Sequence, residues 1–128
     1  WLDVSGKCYK YFSTPKTWRD ARASCQQYSG DLAVPISYTE QLVLGDNNLF
    51  IGGSDRNDEG GWEWSDGSPF RYLNWHTGEP NMLGRGQNCM VLTTSNWHYT
   101  WDNTDCSVPS PYICKRKRKY VCILTEVG

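Results

Sequence analysis

The spacing of apolar residues divides the first third of the chain into a strand and a helix. Lys7–Phe12 alternates apolar with polar residues and is rich in aromatics, which predicts a strand. Pro15 is expected to end that strand. From Thr17, a candidate N-cap, the period becomes helical, and Gly30 is the expected C-terminal stop. One apolar stripe runs along this helix and consists of Trp18, Ala21, Cys25 and Tyr28.

The same patterns predict a second, brief helix and several short strands. The second helix is expected at Thr39–Leu44, and Asp66-Gly67 is expected to form a turn. The predicted strands are Asn48–Gly53, Trp62–Trp64, Met90–Thr94, Asn96–Trp101 and Tyr112–Lys115. A chain of 128 residues is long enough for one core. We therefore expect a single α+β domain that spans residues 1–128.

Cysteine content and charge limit the classes of protein that fit. Six cysteines indicate an oxidising compartment, and fifteen pairings are formally open. The net charge of −1 gives no general attraction to nucleic acid or membrane, and no apolar run approaches the ~20 residues of a membrane span. We expect no cleavable signal in this sequence, since Trp1 opens directly into a polar, turn-rich stretch. We expect a mature secreted protein or an ectodomain, secreted or extracellular, with no nucleic-acid partner and no membrane insertion.

The segment Trp75–Cys106 carries a set of side chains that end in an oxygen ligand. Calcium takes six to eight such oxygens and accepts both amides and carboxylates. Pro80 gives access to a cis peptide bond, which would turn its two neighbours toward one point. The alternative is that Gly-Glu-Pro-Asn is an ordinary surface turn. The candidate ligands are Glu79, Asn81, Gln87, Asp102 and Asn103.

Three motifs in this segment together resemble the C-type lectin domain. They are Glu-Pro-Asn at 79–81, Gln-Asn-Cys at 87–89 and Trp-Asp-Asn-x-x-Cys at 101–106. The resemblance extends over almost the whole chain. It implies a C-type lectin-like fold with two short helices, antiparallel sheets and long calcium-binding loops, stapled by disulfides. It also implies a Ca2+ cofactor, with the five candidate ligands as the principal calcium site.

The sequence departs from the family pattern at this site. Gln87 replaces the usual acid before the cysteine, and Asp102-Asn103 inverts the usual Asn-Asp order. Only Glu79 and Asp102 carry charge, so weaker calcium affinity than typical is expected.

The resemblance also points to an auxiliary second metal site. Its residues would be Asp55, Glu59 and Asn88, where Asn88 replaces an acid. The alternative for this segment is an ordinary solvated acidic loop.

The resemblance also assigns the cysteines. Cys25–Cys114 and Cys89–Cys106 correspond to the two constant disulfides of the family. The first and last strands of that fold run antiparallel, which would bring the remaining Cys8 and Cys122 together. We expect a Cys8–Cys122 bridge, with an intermolecular disulfide as the alternative.

The implied function is calcium-dependent binding of terminal sugars of glycans. Two adjacent sugar hydroxyls would occupy calcium coordination positions, donate to carboxylates and accept from amides. Glu-Pro-Asn implies mannose-type sugars (mannose, N-acetylglucosamine, fucose). However, the geometry of the family would group the acceptors Glu79 and Asp102 together, and likewise the donors Asn81 and Gln87. This grouping is associated with galactose-type sites, although in mirrored form, so galactose-type specificity is the second interpretation. Leu83 and Trp97 are candidate apolar contacts for the sugar. The alternative is that Leu83 is a plain loop residue and that Trp97 packs within the core or the sheet.

Four further expectations complete the sequence-based interpretation. A lectin-fold protein that binds a protein, lipid or mineral surface instead of sugar is the alternative binding class. An enzyme is not expected, because the candidate acids lie among amides and the two histidines suggest no nucleophile–base pair. Weak single sites gain avidity by clustering, so we expect a homo-oligomer. The basic run Lys115–Lys119 is either a solvated edge or a polyanion-binding patch.

Overall fold

The computed structural model of the chain describes residues 1–4, 6–35, 49–55, 61–69, 88–95, 98–117 and 122. Within these ranges the fold has one helix, α1 (Trp18–Gln27), and eight strands. The strands are β1 (Leu2–Val4), β2 (Lys7–Lys16), β3 (Asp31–Leu32), β4 (Leu49–Ser54), β5 (Glu63–Trp64), β6 (Asn88–Ser95), β7 (His98–Asp105) and β8 (Ser110–Lys117). The second predicted helix, Thr39–Leu44, lies outside the described residues.

The strands form one sheet in the order β1-β2-β8-β4-β6-β7, with β3 also paired to β8 and β5 to β4. The pair β4–β8 is parallel, and the other pairs are antiparallel. The first long strand and the last strand, β2 and β8, are therefore antiparallel neighbours, as the family resemblance implies. Across the described ranges, no helix is long and apolar enough to cross a membrane.

Helix α1 begins and packs as its sequence predicts. Thr17 is the N-cap, and its side chain accepts a hydrogen bond from the backbone nitrogen of Asp20. Trp18, Ala21 and Cys25 of the predicted stripe are buried, whereas Tyr28 is the half-buried C-cap residue. The indole nitrogen of Trp18 donates to the carbonyl oxygen of Ile51 at 2.9 Å. The helix is thus attached to β4 by a buried hydrogen bond as well as by apolar contact.

Helix α1 ends before Gly30, as expected, but the left-handed residue of its C-terminal cap is Ser29. Ser29 has the positive φ of 62°, and the nitrogens of Ser29 and Gly30 donate to the carbonyls of Gln26 and Cys25 in a Schellman-type cap. Gly30 is needed for a different reason. A Cβ on Gly30 would lie 2.0 Å from the carbonyl oxygen of Lys115, so only glycine lets the chain pass this close to β8.

The strands at the start of the chain also differ from expectation. Strand β2 continues through Pro15 to Lys16, because the register with β8 is irregular between Phe12 and Lys16. Proline is tolerated in strands at such irregular positions, where it displaces no ladder hydrogen bond. The short strand β1 was not predicted at all. It pairs with the outer edge of β2, a contact that three residues of alternating sequence do not reveal.

Two buried clusters cover the two faces of the central strands. Every residue of β4 is buried, because β4 lies between β8 and β6 and side chains alternate between its faces. One cluster contains Tyr9, Ala33, Val34, Leu49, Ile51, Trp64, Met90, Leu92, Trp101 and Ile113. The other contains Trp18, Ala21, Cys25, Leu32, Phe50, Cys89, Val91, Tyr112 and Cys114. Helix α1 therefore packs against the second face.

Three disulfides connect the elements: Cys8–Cys122, Cys25–Cys114 and Cys89–Cys106. These are the pairings expected from the family resemblance, and Cys8 pairs with Cys122 within the chain. The bridge from α1 to β8 closes a segment of sequence separation 89. In an entropic account, a loop of that length contributes roughly 4 kcal/mol.

An ion pair attaches the turn after β5 to β8, and a hydrogen bond from Arg22 attaches it to the helix. The guanidinium of Arg22 contacts the carboxylate of Asp31 at 3.1 Å, and it also donates to the carbonyl oxygen of Ser65 at 2.9 Å. The ammonium of Lys115 donates to Asp66, the first residue of the predicted Asp66-Gly67 turn. Burial alone raises the pKa of Asp66, but hydrogen bonds from Lys115 and Ser68 outweigh burial and lower this pKa below its ordinary value of 3.8.

Replacing Gly30 with alanine is expected to destabilise the domain by at least about 1–3 kcal/mol, because the added methyl group collides with backbone rather than with a movable side chain. The measurement is the midpoint of chemical unfolding, compared at equal slope. Gly61→Ala is the matched control, because a Cβ there meets nothing within 4 Å. Equal stability of the two variants would contradict the close contact with β8.

Replacing Asp66 with asparagine is expected to lower the free energy of unfolding at neutral pH by less than about 1 kcal/mol. The folded-state pKa of Asp66 lies below its unfolded value, so its stabilisation is complete above the ordinary value of 3.8 and is lost as the pH falls through the folded-state pKa. The difference between wild type and variant should therefore shrink below about pH 4. Unfolding measured from pH 7 to pH 2 checks this.

Lys115→Met is the control for the Asp66 experiment, because it removes the charged partner and keeps the aliphatic stem. This variant should show the same small loss at neutral pH and the same convergence in acid. A gap between wild type and Asp66→Asn that stays constant down to pH 2 would refute the role of this ion pair.

Candidate functional site

Strands β6 and β7 hold the part of the predicted site that lies within the described residues. They pair antiparallel from Asn88 opposite Asp105 to Ser95 opposite His98. The Cys89–Cys106 bridge closes the end of this ladder at which Asn88 pairs with Asp105. As expected from the sequence, the bridge ties the Gln87 end of the segment to the Asp102–Asn103 end.

Asp102 and Asn103 lie side by side on β7, the last strand in the sheet order. The backbone nitrogen of Asn103 donates to Oδ1 of Asp102 at 2.7 Å. Successive side chains of a strand point to opposite faces of the sheet. A cation that contacts both residues would therefore lie beside the edge of β7, rather than above one face of the sheet.

Asp55, Asn88 and Asn103 form a chain of hydrogen bonds across three strands. Asp55 follows β4 directly, and its two carboxylate oxygens accept from the backbone and side-chain nitrogens of Asn88 at 2.5 and 2.9 Å. Nδ2 of Asn103 donates to Oδ1 of Asn88 at 3.4 Å. Asn103 can reach Asn88 because the register places them diagonally on the same face of the β6–β7 pair. The sequence grouped Asp55 with Asn88 as metal ligands but did not reveal this direct bond.

The remaining predicted site residues lie outside the described residues. They are the candidate principal ligands Glu79, Asn81 and Gln87, the candidate auxiliary ligand Glu59, and the candidate sugar contacts Leu83 and Trp97. Their roles stay predictions.

The described site residues fit a hard cation in their chemistry but are too few to hold one. Asp102 and Asn103 offer a carboxylate and an amide oxygen, both of which calcium accepts. In the part of the chain that the structure describes, no three His, Cys, Asp or Glu side chains are grouped so that they could hold a metal ion. A metal site at β7 would have to be completed by residues such as Glu79, Asn81 and Gln87.

The basic run is split between the two faces of β8. Lys115 pairs with Asp66, whereas the guanidinium of Arg116 lies 4.7 Å from the ring of Trp1. Lys117 belongs to the same face as Lys115, because side chains alternate along the strand. A groove of about 500 Å3 adjoins these residues at the ends of β2, α1 and β8. The described part of the run does not form one basic face, which weakens the polyanion interpretation.

The family comparison identifies the class of this domain. The family model described as "Lectin C-type domain" matches residues 14–116. This range contains the Glu-Pro-Asn, Gln-Asn-Cys and Trp-Asp-Asn-x-x-Cys motifs, the whole of α1, and the disulfides Cys25–Cys114 and Cys89–Cys106. The chain belongs to the C-type lectin domain family, and the resemblance drawn from its motifs is confirmed.

Individual relatives agree with this assignment. The chain is similar to C-type mannose receptor 2 of Mus musculus, with 38% identity over 121 residues, which cover 89% of this chain and 8% of the receptor. It is also 33% identical to the C-type lectin BfL-2 of Bungarus fasciatus, over 91% of this chain and 81% of that lectin. The chain thus spans only about 8% of the length of the mannose receptors it matches.

Solved structures confirm the predicted fold class. The carbohydrate-recognition domain of cow CD23, determined in the presence of a GlcNAc2Man3 oligosaccharide, matches with a TM-score of 0.84 and 31% identity, over 94% of this chain and 95% of that one. A calcium-independent type II antifreeze protein matches with a TM-score of 0.80 and 31% identity, over 91% of both chains. The domain has a C-type lectin fold. C-type lectin domain relatives are carbohydrate-binding proteins and not enzymes, which agrees with the expectation that this chain is not an enzyme.

Proposed function

We propose that this domain is a calcium-dependent lectin that binds terminal mannose-type sugars of glycans. Asp102 and Asn103 would supply ligands from β7, and Glu79, Asn81 and Gln87 would complete the ion's coordination. The observation that carries the proposal is the position of Asp102 and Asn103 side by side at the last strand of a C-type lectin fold, next to the Cys89–Cys106 bridge.

The side chains of the site have complementary tasks toward a sugar. When bound, calcium offers coordination positions that two adjacent hydroxyls can occupy. The carboxylates of Glu79 and Asp102 accept hydrogen bonds from these hydroxyls, and the amide nitrogens of Asn81 and Gln87 donate to their oxygens. The bonds to ionised carboxylates are the stronger ones. A sugar whose hydroxyls point elsewhere leaves these groups unsatisfied, which provides selectivity.

Mannose-type specificity is supported by the Glu-Pro-Asn motif at 79–81. The cow CD23 domain with a mannose-containing oligosaccharide and the relatives named mannose receptors agree with it. Galactose-type specificity is the second candidate. It follows from the geometry of the family, which would group the two acids, Glu79 and Asp102, on one side and the two amides, Asn81 and Gln87, on the other. Leu83 and Trp97 are proposed to contact the apolar face of the sugar.

A partner that is not a sugar is the alternative of a different class. The similarity to a calcium-independent type II antifreeze protein favours it, because that protein has this fold without the calcium requirement. The amide at Gln87, where the family has an acid, is the feature of this chain that agrees with it. Loss of glycan binding in chelator separates the two functions.

The setting of the proposed lectin follows from its chemistry. Three disulfides suit a secreted or extracellular location, since such bridges persist in oxidising compartments. A single sugar site binds weakly, so the domain is proposed to act in a homo-oligomer or another clustered array.

Asp102→Asn is expected to lower the affinity for an immobilised mannose-type glycan at least about tenfold, because it removes one of two charged calcium ligands. Wild-type binding should be abolished by EDTA, and free mannose should compete better than free galactose. The measurement is retention on a mannose column, with and without 5–10 mM calcium, about the range that saturates weak extracellular sites. Asp105→Asn is the matched control on the same strand, because Asp105 is exposed and bonded locally to Ser107. Retention that survives EDTA unchanged would refute calcium-dependent binding.

Gln87→Glu is expected to raise the calcium affinity of the site at least about fivefold. An added charge close to the ion contributes about 1 kcal/mol even at the dielectric constant of water. Calcium titration followed by intrinsic fluorescence gives the midpoint. Gln26→Glu, at an exposed position of α1, is the control for a general change in charge. An unchanged midpoint in Gln87→Glu would exclude Gln87 from the coordination shell.

A further inference from the structure

Among the described residues, Asn88 donates to both oxygens of the Asp55 carboxylate. The backbone nitrogen of Asn88 lies 2.5 Å from Oδ1 of Asp55, and the side-chain nitrogen of Asn88 lies 2.9 Å from Oδ2. The backbone nitrogen of Asp55 donates in return to the carbonyl oxygen of Asn88 at 3.0 Å. Asn88 is 4% exposed. Hydrogen bonds to an ionised acceptor are strong, and those in a buried setting are further strengthened by low polarity.

The orientation of the Asn88 amide follows from these contacts. A carboxylate only accepts hydrogen bonds, so the amide must turn Nδ2 toward Asp55 and Oδ1 toward Asn103. The donor from Asn103 is its own Nδ2, at 3.4 Å from Oδ1 of Asn88. This contact turns the nitrogen of the Asn103 amide toward Asn88 and its oxygen away from it. Oxygen is the only atom of that amide that can ligate calcium.

These bonds do not suit an auxiliary calcium at Asp55. In such a site, Asp55 and an acid at position 88 would both direct oxygens at the ion, and the ion would screen one carboxylate from the other. Here position 88 is an amide that points Nδ2, a donor, at Oδ2 of Asp55, while the backbone nitrogen of Asn88 donates to Oδ1. The residues present therefore fit a direct hydrogen-bonded link better than an auxiliary ion.

We propose that the Asn88 amide takes the place of an auxiliary calcium ion and acts as a positioning residue for Asn103. The bonds from Asp55 to Asn88 and from Asn88 to Asn103 join β4, β6 and β7 without metal. The positioning of Asn103 rests on the proposed function of the principal site. The replacement of the auxiliary ion by Asn88 does not rest on the proposed function, because it concerns the calcium-free protein.

Asp55→Asn in chelator separates the two accounts by the sign of its effect. If Asn88 stands in for the ion, the variant sets two amide nitrogens against each other, and the unfolding temperature in EDTA falls by about 5–10 °C. If Asp55 instead belongs to a calcium site, its charge is repelled in EDTA by the other acid of that site, Glu59. Removing the charge then relieves this repulsion, and the unfolding temperature stays the same or rises. Asp105→Asn, on the neighbouring strand, is the control for loss of an exposed carboxylate.

Two further variants test the bond between Asp55 and Asn88 from the side of Asn88. They are Asn88→Asp and the exchange variant, which is the double variant Asp55→Asn/Asn88→Asp. Asn88→Asp places two carboxylates in contact, so it should be destabilised in EDTA, recover in calcium and bind one more calcium per chain than wild type. The double variant Asp55→Asn/Asn88→Asp again pairs an acid with an amide. It should regain most of the stability lost by either single variant in EDTA, with no added calcium. If Asn88→Asp fails to fold in EDTA, this recovery and the Asp55→Asn result still decide the question.

Calcium affinity is the readout for the positioning role. Asp55→Asn should weaken calcium binding at the principal site about tenfold, the usual scale for residues that orient a metal ligand. The exchange variant should restore the calcium affinity. A loss of affinity that came only from general destabilisation would not be reversed by the exchange. Two calcium ions per wild-type chain, or a wild type and Asp55→Asn of equal stability in EDTA, would overturn the replacement. If the wild-type chain binds no calcium at all, the proposed function is overturned, but the stability test in EDTA remains valid.

Discussion

The close packing of helix α1 against strand β8 is the constraint on which the domain depends. Cys25–Cys114 joins the two covalently, and the carbonyl of Lys115 sits where a side chain on Gly30 would be. Strand β8 is bonded to β2 on one edge and to β3 and β4 on the other. Its position therefore determines where β4 lies. Strand β4 in turn pairs with β6, and β6 with β7, so the candidate site is built outward from this packed centre.

The local sequence pattern was sufficient to predict most helices and strands. It was insufficient for features that arise where segments distant in the sequence come close together. The helix cap at Thr17 and the buried stripe are set by residues within three or four positions, and both were predicted correctly. The role of Gly30 was not, because the atom that forbids a side chain belongs to Lys115, far along the chain. Strand β2 passes through Pro15 for a similar reason, since the irregular pairing with β8 is not encoded near the proline.

The candidate site shows the same division. The motifs at 79–81, 87–89 and 101–106 were enough to predict the family and the cysteine pairing. Asp102 and Asn103 lie on β7, and their role as ligands, like that of Glu79, Asn81 and Gln87, stays a prediction from the motifs. The bond between Asp55 and Asn88 could not be predicted, because it requires the end of β4 to meet the start of β6. Sequence resemblance suggested a shared ion there, and the amide of Asn88 offers hydrogens instead.

The disulfide Cys8–Cys122 encloses nearly the whole chain between its two cysteines. A single break in the backbone anywhere between them would leave both pieces joined covalently. Proteolytic nicking in one exposed segment would therefore release no fragment, and the damage would be visible by electrophoresis only after reduction. With this topology, the endurance of the domain under proteolysis depends on the number of cuts rather than on the first one.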